Sequence, residues 1–349
     1  MYNLKNIKDE DVKGKRVLLR VDVDVPIKDG KIEDRSRLKA WFPTLELLLT
    51  KQAHVFIAGH LGRPQRVDER FSLEPVVHWV KSQLELHNDL KVTDINGFKA
   101  WELTGNVFVL ENLRFFNEEE KNDIIFSQKL ASIAQIYVND AFASSHRAHA
   151  SIVGVTKYLP SFAGLRLIEE VGVLSKVLEE PKRPLGVIIG GAKIETKLPL
   201  VEKMHRFADY VMVGGEIAEN DKILLKVAHE RIQGQKSALL VADLNEKNID
   251  ITLKSVENFI QISKKCQTIV WNGPMGLIEN PAGTNHATLI LAKELSEIGK
   301  YIIVGGGDTV GFLKESNLLD KFSFVSTGGG AMLEFLAGVK LPGLLVLEK

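Results

Sequence analysis

The chain has 349 residues, with 45 acidic and 45 basic side chains, so no global charge draws it to nucleic acid or to an anionic membrane. Its single cysteine, Cys266, excludes an intramolecular disulfide and any CxxC metal site, which fits a reducing compartment. An apolar content of 45% and this length allow about two domains, each with its own core.

Met1-Tyr2-Asn3-Leu4-Lys5 carries no apolar signal core, and no run is long enough to span a bilayer. A soluble, cytoplasmic protein is the expectation. Val17 to Val23 reads as the first strand. Leu38 to Leu49 has helical spacing, disturbed early by Pro43. His54 to Ala58 is a strand before a Gly-rich turn, and Leu73 to Leu86 is helical. Val107 to Leu110, then Ile124 to Ala134, then Gln135 to Val138 continue the alternation as strand, helix and strand. This order predicts a parallel sheet with helices on both faces.

A long helix, about Gly164 to Glu180, ends at Pro181 and Pro184, and the domain boundary is placed on it. The pattern restarts with strands at Leu185–Ile189, Tyr210–Val213, Thr268–Trp271, Tyr301–Val304 and Phe322–Val325. Helices are expected at Thr196–Ala208, Leu253–Lys264, Thr284–Ser296 and Thr309–Lys314. The fold class is therefore α/β, with two doubly wound, Rossmann-like parallel-sheet domains joined by a helix. The boundaries are 1–168 and 169–339.

The two halves differ at their strand ends. The first offers Asp22, Asp24, His60, Arg63, Arg114 and the stretch from Asn139 to His149 with Arg147, while Arg37 opens the first helix. Arginine pairs its hydrogen bonds to carboxylate or phosphate. A single arginine at a turn is usually a solvated surface group. Four from separated turns on one edge suggest a pocket for a small, multiply charged anion. Arg20, inside a strand, and Arg166, on the long helix, are read as structural.

The second half offers glycines: Gly190-Gly191, Gly214-Gly215, Gly305-Gly306-Gly307 and Gly328-Gly329-Gly330, each after an apolar run. The last follows Ser326-Thr327, read as a helix N-cap. Bare backbone amides at a helix start make an anion site, although a lone glycine run can simply serve a tight turn. Lys193 and Lys197 share one face of a helix start at spacing i, i+4. Asp308 could hold Mg²⁺ against phosphates or merely cap a helix. Arginines in one half and a phosphate cradle in the other suggest phosphoryl transfer. No GxxxxGK[ST] loop, no GxGxxG after the first strand and no protein-kinase set is present.

At these residues the sequence resembles the phosphoglycerate kinase family over nearly its whole length. The matching runs in the first half are Arg20-Val21-Asp22-Val23-Asp24-Val25-Pro26, His60-Leu61-Gly62-Arg63-Pro64, Leu110-Glu111-Asn112-Leu113-Arg114-Phe115 and Asn139-Asp140-Ala141-Phe142 with His146-Arg147-Ala148-His149. In the second half they are Gly190-Gly191-Ala192-Lys193 with Lys197, Trp271-Asn272-Gly273-Pro274-Met275-Gly276, Gly305-Gly306-Gly307-Asp308-Thr309 and Ser326-Thr327-Gly328-Gly329-Gly330-Ala331.

The resemblance implies reversible transfer from 1,3-bisphosphoglycerate to ADP, giving 3-phosphoglycerate and ATP, in glycolysis and gluconeogenesis. It implies that Asp22, Val23, Asp24, Arg37, His60, Leu61, Gly62, Arg63, Arg114 and Arg147 meet the glycerate substrate. Gly191, Ala192, Lys193, Lys197, Gly214, Gly215, Asn272, Pro274, Leu277, Glu279, Gly306, Gly307, Asp308 and Thr309 would meet the nucleotide, with Mg²⁺ on Asp308. Arg37, Lys193 and the backbone of Gly328, Gly329 and Gly330 would serve the transferred group. It further implies a monomer that closes by hinge bending, with tail 340–349 returning to the first domain. The chain departs from the family at Asp24 (usually Asn), at Gly59 (usually Ser) and near Glu216, where a third glycine is missing. Between Glu216 and Asp250 the resemblance implies that a helix, a strand and a Leu-Pro-Val-Asp-like run of the family are absent. The alternatives are a catalytically impaired nucleotide-binding homologue with a regulatory or scaffolding role and, more distantly, a dehydrogenase.

Overall fold

The computed structural model describes residues 2–191, 194–220, 237–278 and 286–349, with backbone alone at 194–196, 198, 220 and 286. The chain forms two compact units, Met1–Gly172 with Lys340–Lys349, and Val173–Val339. The boundary falls within the helix Leu165–Glu179.

The first unit is built on a seven-stranded sheet. In chain order its strands are β1 (Arg16–Val21), β4 (His54–Ala58), β5 (Lys91–Ile95), β6 (Phe98–Thr104), β7 (Val107–Leu110), β8 (Ile136–Asp140) and β9 (Ser161–Ala163). The two-residue strands β2 (Ile27–Lys28) and β3 (Lys31–Ile32) form a separate hairpin around Asp29-Gly30, both at positive φ, as a tight two-residue turn requires. Spatial order in the large sheet is β5-β6-β7-β4-β1-β8-β9. β7, β4, β1, β8 and β9 run parallel. β5 and β6 are antiparallel additions, so the sheet is mixed at one edge rather than parallel throughout. β1 is the switch point: the chain winds to β4 on one side and later to β8 on the other, and such a point opens a crevice beyond the strand ends.

Val17 to Val21 are all buried, as expected for a central parallel strand covered on both faces. Helix α1 (Ser36–Thr50) runs unbroken through Pro43, beginning two residues before the expected start. Its Leu38, Trp41, Leu45 and Leu48 pack with Val17, Leu19 and Val21 and with Val76, Val77 and Val80 of helix α2 (Glu74–Gln83). Each such buried aliphatic side chain stabilises by about 1.5–3 kcal/mol, enough together to hold a proline inside a helix.

Among the described residues the second unit holds six parallel strands: β10 (Leu185–Ile189), β11 (Tyr210–Val213), β12 (Ala238–Val241), β13 (Thr268–Asn272), β14 (Tyr301–Gly305) and β15 (Phe324–Val325). Their order is β12-β11-β10-β13-β14-β15, with the switch between β10 and β13. β12 corrects the expectation that this stretch lacks a strand. Ala238 to Val241 pair in register with Tyr210 to Val213. Ile188, Met212, Trp271 and Val304 form the core with Phe259, Leu291, Leu295 and Phe312 from the covering helices. No helix among the described residues is long and apolar enough to cross a membrane.

Candidate active site

In the first unit the loops after β1, β4, β7 and β8 carry the polar residues singled out above. Asp22 follows β1 and is buried. Its Oδ2 accepts from Ala143 N at 2.8 Å and its Oδ1 from Ser144 Oγ at 2.9 Å. Burial raises its pKa, while Arg20 and Arg37 pull it back down. Val23 and Leu61 are core side chains, so only their backbone can meet a ligand. Gly59 fits where the family places a larger residue less easily: a Cβ there would lie 2.5 Å from Val23 Cγ2.

Asp24 Oδ1 accepts from Gly62 N at 2.9 Å, and Asp24 O accepts from Arg37 Nη1 at 2.6 Å. Gly62 O accepts in turn from Arg114 Nη1 at 2.8 Å. The loops after β1, β4 and β7 are thus tied together through Gly62, whose φ of 62° and contact with Phe71 leave no room for a side chain. Arg114 is 4% exposed. Its Nε lies 3.1 Å from Glu120 Oε1, and its Nη2 is buried with no hydrogen-bond partner among the described residues. Arg63, Arg147, His149, Gln65, Pro64 and Glu120 line a cavity of about 500 Å³. Arg63 is exposed and Arg147 half-buried, its Nε directed at His146 Nε2. Burial and then Arg114 depress His149 to about 4, so it is neutral at physiological pH.

Arg20 and Glu119 were not foreseen as parts of this site. Arg20 is fully buried and reaches His60 Nδ1 at 2.8 Å and Ser151 Oγ at 2.9 Å. Ser151 donates through N and Oγ to the buried carboxylate of Glu119. The one signal in the sequence was an arginine inside an otherwise apolar strand, which must find partners when buried.

In the second unit the glycine turns gather at the carboxyl ends of its parallel strands. Gly190 N donates to Asn272 O at 2.9 Å and Gly191 N to Pro274 O at 2.8 Å, closing the switch between β10 and β13. Lys197 Nζ donates to Gly190 O. Gly214 N bonds Ile189 O, and Gly215 N bonds Met275 O at 3.0 Å. Gly215 has φ 65°, and a Cβ there would lie 2.6 Å from Gly191 N. Asn272 Nδ2 donates to Gly329 O at 3.0 Å. Thr309 Oγ1 is buried and accepts from Gly273 N at 2.9 Å, so its hydroxyl holds the Trp271–Gly276 turn. Leu277 is 47% exposed.

Gly306 caps helix α9 (Gly307–Glu315; α3 to α8 are Asn117–Glu120, Ile124–Ala131, Leu165–Glu179, Ile194–His205, Leu253–Lys265 and His286–Glu297). Asp308 lies in the first turn of α9, exposed, with no partner among the described residues. Helix α10 (Gly329–Leu336) is capped by Gly328 with no side-chain bond, which corrects the expected Ser/Thr N-cap. Ser326 Oγ instead accepts from Gly328 N at 3.2 Å and shapes the turn before the helix. Ala192, Lys193 and Glu279 lie outside the described residues.

The phosphoglycerate kinase family model matches residues 7–236 and 219–339. This chain belongs to the phosphoglycerate kinase family. The kinase of Dictyoglomus turgidum is 38% identical over 388 residues, covering 98% of each chain. That alignment is longer than the 349 residues here, so the relative carries segments this family member lacks. The cytosolic phosphoglycerate kinase of Triticum aestivum is 37% identical, covering 98% of this chain and 97% of its own. Among solved structures, phosphoglycerate kinase from Coxiella burnetii superposes with a TM-score of 0.80 at 33% identity, over 99% of this chain and 98% of that one. The enzyme from Pyrococcus horikoshii OT3 gives 0.82 at 28% identity, with the same coverage. Family membership makes the chain a phosphotransferase with a carboxyl group as acceptor, of mixed α/β fold in two domains. None of these similarities favours the impaired regulatory reading or a dehydrogenase.

Proposed function

We propose that the first unit binds 3-phosphoglycerate or 1,3-bisphosphoglycerate, and the second unit ADP or Mg·ATP, for reversible phosphoryl transfer in glycolysis and gluconeogenesis. The observation that carries this is the cavity lined by Arg63, Arg147 and His149, with Arg114 buried beside it and its Nη2 unpartnered among the described residues. An unpaired buried guanidinium N–H is costly unless a ligand meets it, and paired arginine bonds suit a phosphate or carboxylate. Asp22, Asp24, Arg37 and His60, with backbone from Val23, Leu61 and Gly62, complete this set.

For the nucleotide, the reading rests on glycine turns whose backbone a ligand can approach, with Lys193, Lys197, Asn272, Pro274, Leu277, Glu279 and the start of α9. The donor set fits Mg²⁺: a hard cation that keeps several waters needs one or two carboxylates beside the phosphates, and Asp308 is exposed without a described partner. When bound, the ion would supply charge neutralisation.

The attacking group in either direction is already an oxyanion, so the residues need not abstract a proton. Arg37 and the backbone of Gly328, Gly329 and Gly330 are assigned to the charge of the moving phosphoryl group. The two ligands are assigned to separate units and must meet for transfer, so hinge bending is part of the proposal. So are a monomeric state and a cytoplasmic location, the latter supported by the cytosolic relative.

Calorimetric titration tests the division of labour. Arg63→Ala should weaken 3-phosphoglycerate binding roughly tenfold or more, the worth of a hydrogen bond to a charged group. ADP affinity should be unchanged. Unaltered 3-phosphoglycerate affinity overturns the assignment. Chelation of divalent cations should abolish turnover, and added Mg²⁺ should restore it.

A further inference from the structure

The buried contact between Arg20 and His60 has a definite proton arrangement. Arg20 Nη2 and His60 Nδ1 lie 2.8 Å apart. A guanidinium has five donors and no acceptor, and it stays protonated in proteins. Nδ1 must therefore accept. A neutral ring that accepts at Nδ1 carries its proton on Nε2. No described group bonds Nε2, so that N–H remains for a ligand.

Arg20 is itself held in place. Nε donates to Ser151 Oγ at 2.9 Å and Nη1 to Val21 O at 2.5 Å. Ser151 donates onward to Glu119 Oε1 at 2.5 Å and Oε2 at 2.9 Å. The guanidinium is thereby aimed at the ring from β1, opposite a buried carboxylate one residue away through the hydroxyl.

We propose that Arg20 is a positioning residue for phosphoryl transfer: its guanidinium fixes His60 as the Nε2–H tautomer, so the ring offers the anionic substrate a neutral donor. The inference rests on the reading that His60 holds the glycerate substrate. Burial, followed by Arg20, Arg114, His149 and Arg37, holds His60 well below its ordinary value, which agrees with a neutral ring. No imidazolium then titrates at this point as pH falls toward 6, and substrate affinity does not acquire a histidine step there.

The ring can be read directly by long-range proton–nitrogen NMR of the full chain labelled at histidine, with His60 assigned from its absence in His60→Asn. The wild-type ring should be neutral, protonated on Nε2, and unchanged between about pH 5.5 and 8. Removing Arg20 alone would strand Glu119, so the double variant Arg20→Met/Glu119→Gln removes both charges together. In it burial, Arg114 and Arg37 still disfavour the imidazolium, so the ring should stay neutral but populate both tautomers. KM for 3-phosphoglycerate should rise about two- to threefold, because only the Nε2–H fraction binds, with kcat little changed, as for a contact made equally in ground and transition states. Arg20→Lys, which keeps a charged donor, should retain the Nε2–H form. A wild-type ring protonated on Nδ1, a wild-type imidazolium in that pH range, or an unchanged ring in the double variant would overturn the proposal. His60→Ala with an unchanged KM would instead overturn the underlying reading of His60 as a substrate contact, because the ring spectrum reports on Arg20 without any substrate.

Discussion

Asp24 shows how a single charge is accommodated in an anion site. Where the family usually has Asn, this carboxylate accepts from Gly62 N through Oδ1, and Arg37 bonds its backbone oxygen instead of its side chain. Asparagine would keep the Oδ1 acceptor and remove the charge. At ~5 Å and an effective dielectric of ~20, a second negative charge costs an anionic ligand about 3 kcal/mol before its arginine neighbours compensate. Asp24→Asn should therefore lower KM for 3-phosphoglycerate by roughly threefold and leave kcat in place. A higher or unchanged KM in steady-state kinetics would show that the arginines already cancel the charge. Asp24, Arg63 and Arg147 were legible because turn residues after apolar runs announce themselves. Arg20 was not, because its partners His60 and Ser151 lie 40 and 131 residues away. Nothing local tells a buried, paired arginine from a structural one.

Helix starts decide the behaviour of two elements. At the start of α5, Asp140 Oδ1 accepts from Leu167 N at 2.8 Å and Oδ2 from Thr44 Oγ1 at 2.5 Å, while Thr44 Oγ1 accepts from Leu165 N at 3.0 Å. Burial raises Asp140 to about 7, and Asp22 adds to the rise against the hydrogen bonds from Thr44, Leu167 and Arg166. The unfolded chain releases this proton near 3.8, and the folded protein keeps it to about 7. Its contribution to stability is thus complete below the lower value and is lost as pH rises through the upper one. Asp140→Asn cannot ionise, so its melting temperature should gain on that of the wild type between about pH 4 and 7 and hold a constant margin above. Parallel melting profiles would contradict this account of the cap. At the start of α10, a Cβ on Gly329 would lie 2.8 Å from Gly306 Cα, whereas nothing stands within 4 Å of one on Gly330. Gly329→Ala should lower the melting temperature. Gly330→Ala should not, yet it should cut kcat by about tenfold or more if bare backbone faces the moving phosphoryl group. Full activity in Gly330→Ala would remove that role. The central strands were legible as apolar runs, β1 interrupted only at Arg20 after its exposed first residue. β5 and β12 were not: β5 is a largely exposed edge strand without clear alternation, and β12 is a short edge strand only half-buried along its length.

Across the whole molecule the chain leaves the first unit within α5 and its end returns there. Leu341, Leu344 and Leu347 are buried, and Gly343 N donates to Ser145 O at 2.9 Å. Lys5 N donates to Leu347 O and Lys349 N to Asn3 O, so both termini close the same unit. Leu344→Ala should therefore destabilise the first unit by about 2–5 kcal/mol in denaturant unfolding. A loss below about 0.5 kcal/mol would mean that the tail is only laid over the surface. The division into two α/β units was readable from the restart of strand and helix after Pro184. The tail's docking was not readable from its own composition, because Leu341 to Lys349 is too short to show a period; only the family resemblance suggested it.

The most direct test of the account is ATP-dependent turnover of 3-phosphoglycerate by the wild type and by Arg37→Ala. The wild type should turn over. Arg37→Ala should lose about a hundredfold or more in kcat while KM for 3-phosphoglycerate changes by less than about threefold, since the contact is assigned to the moving phosphoryl group. No turnover by the wild type, or a near-normal kcat in Arg37→Ala, would contradict it.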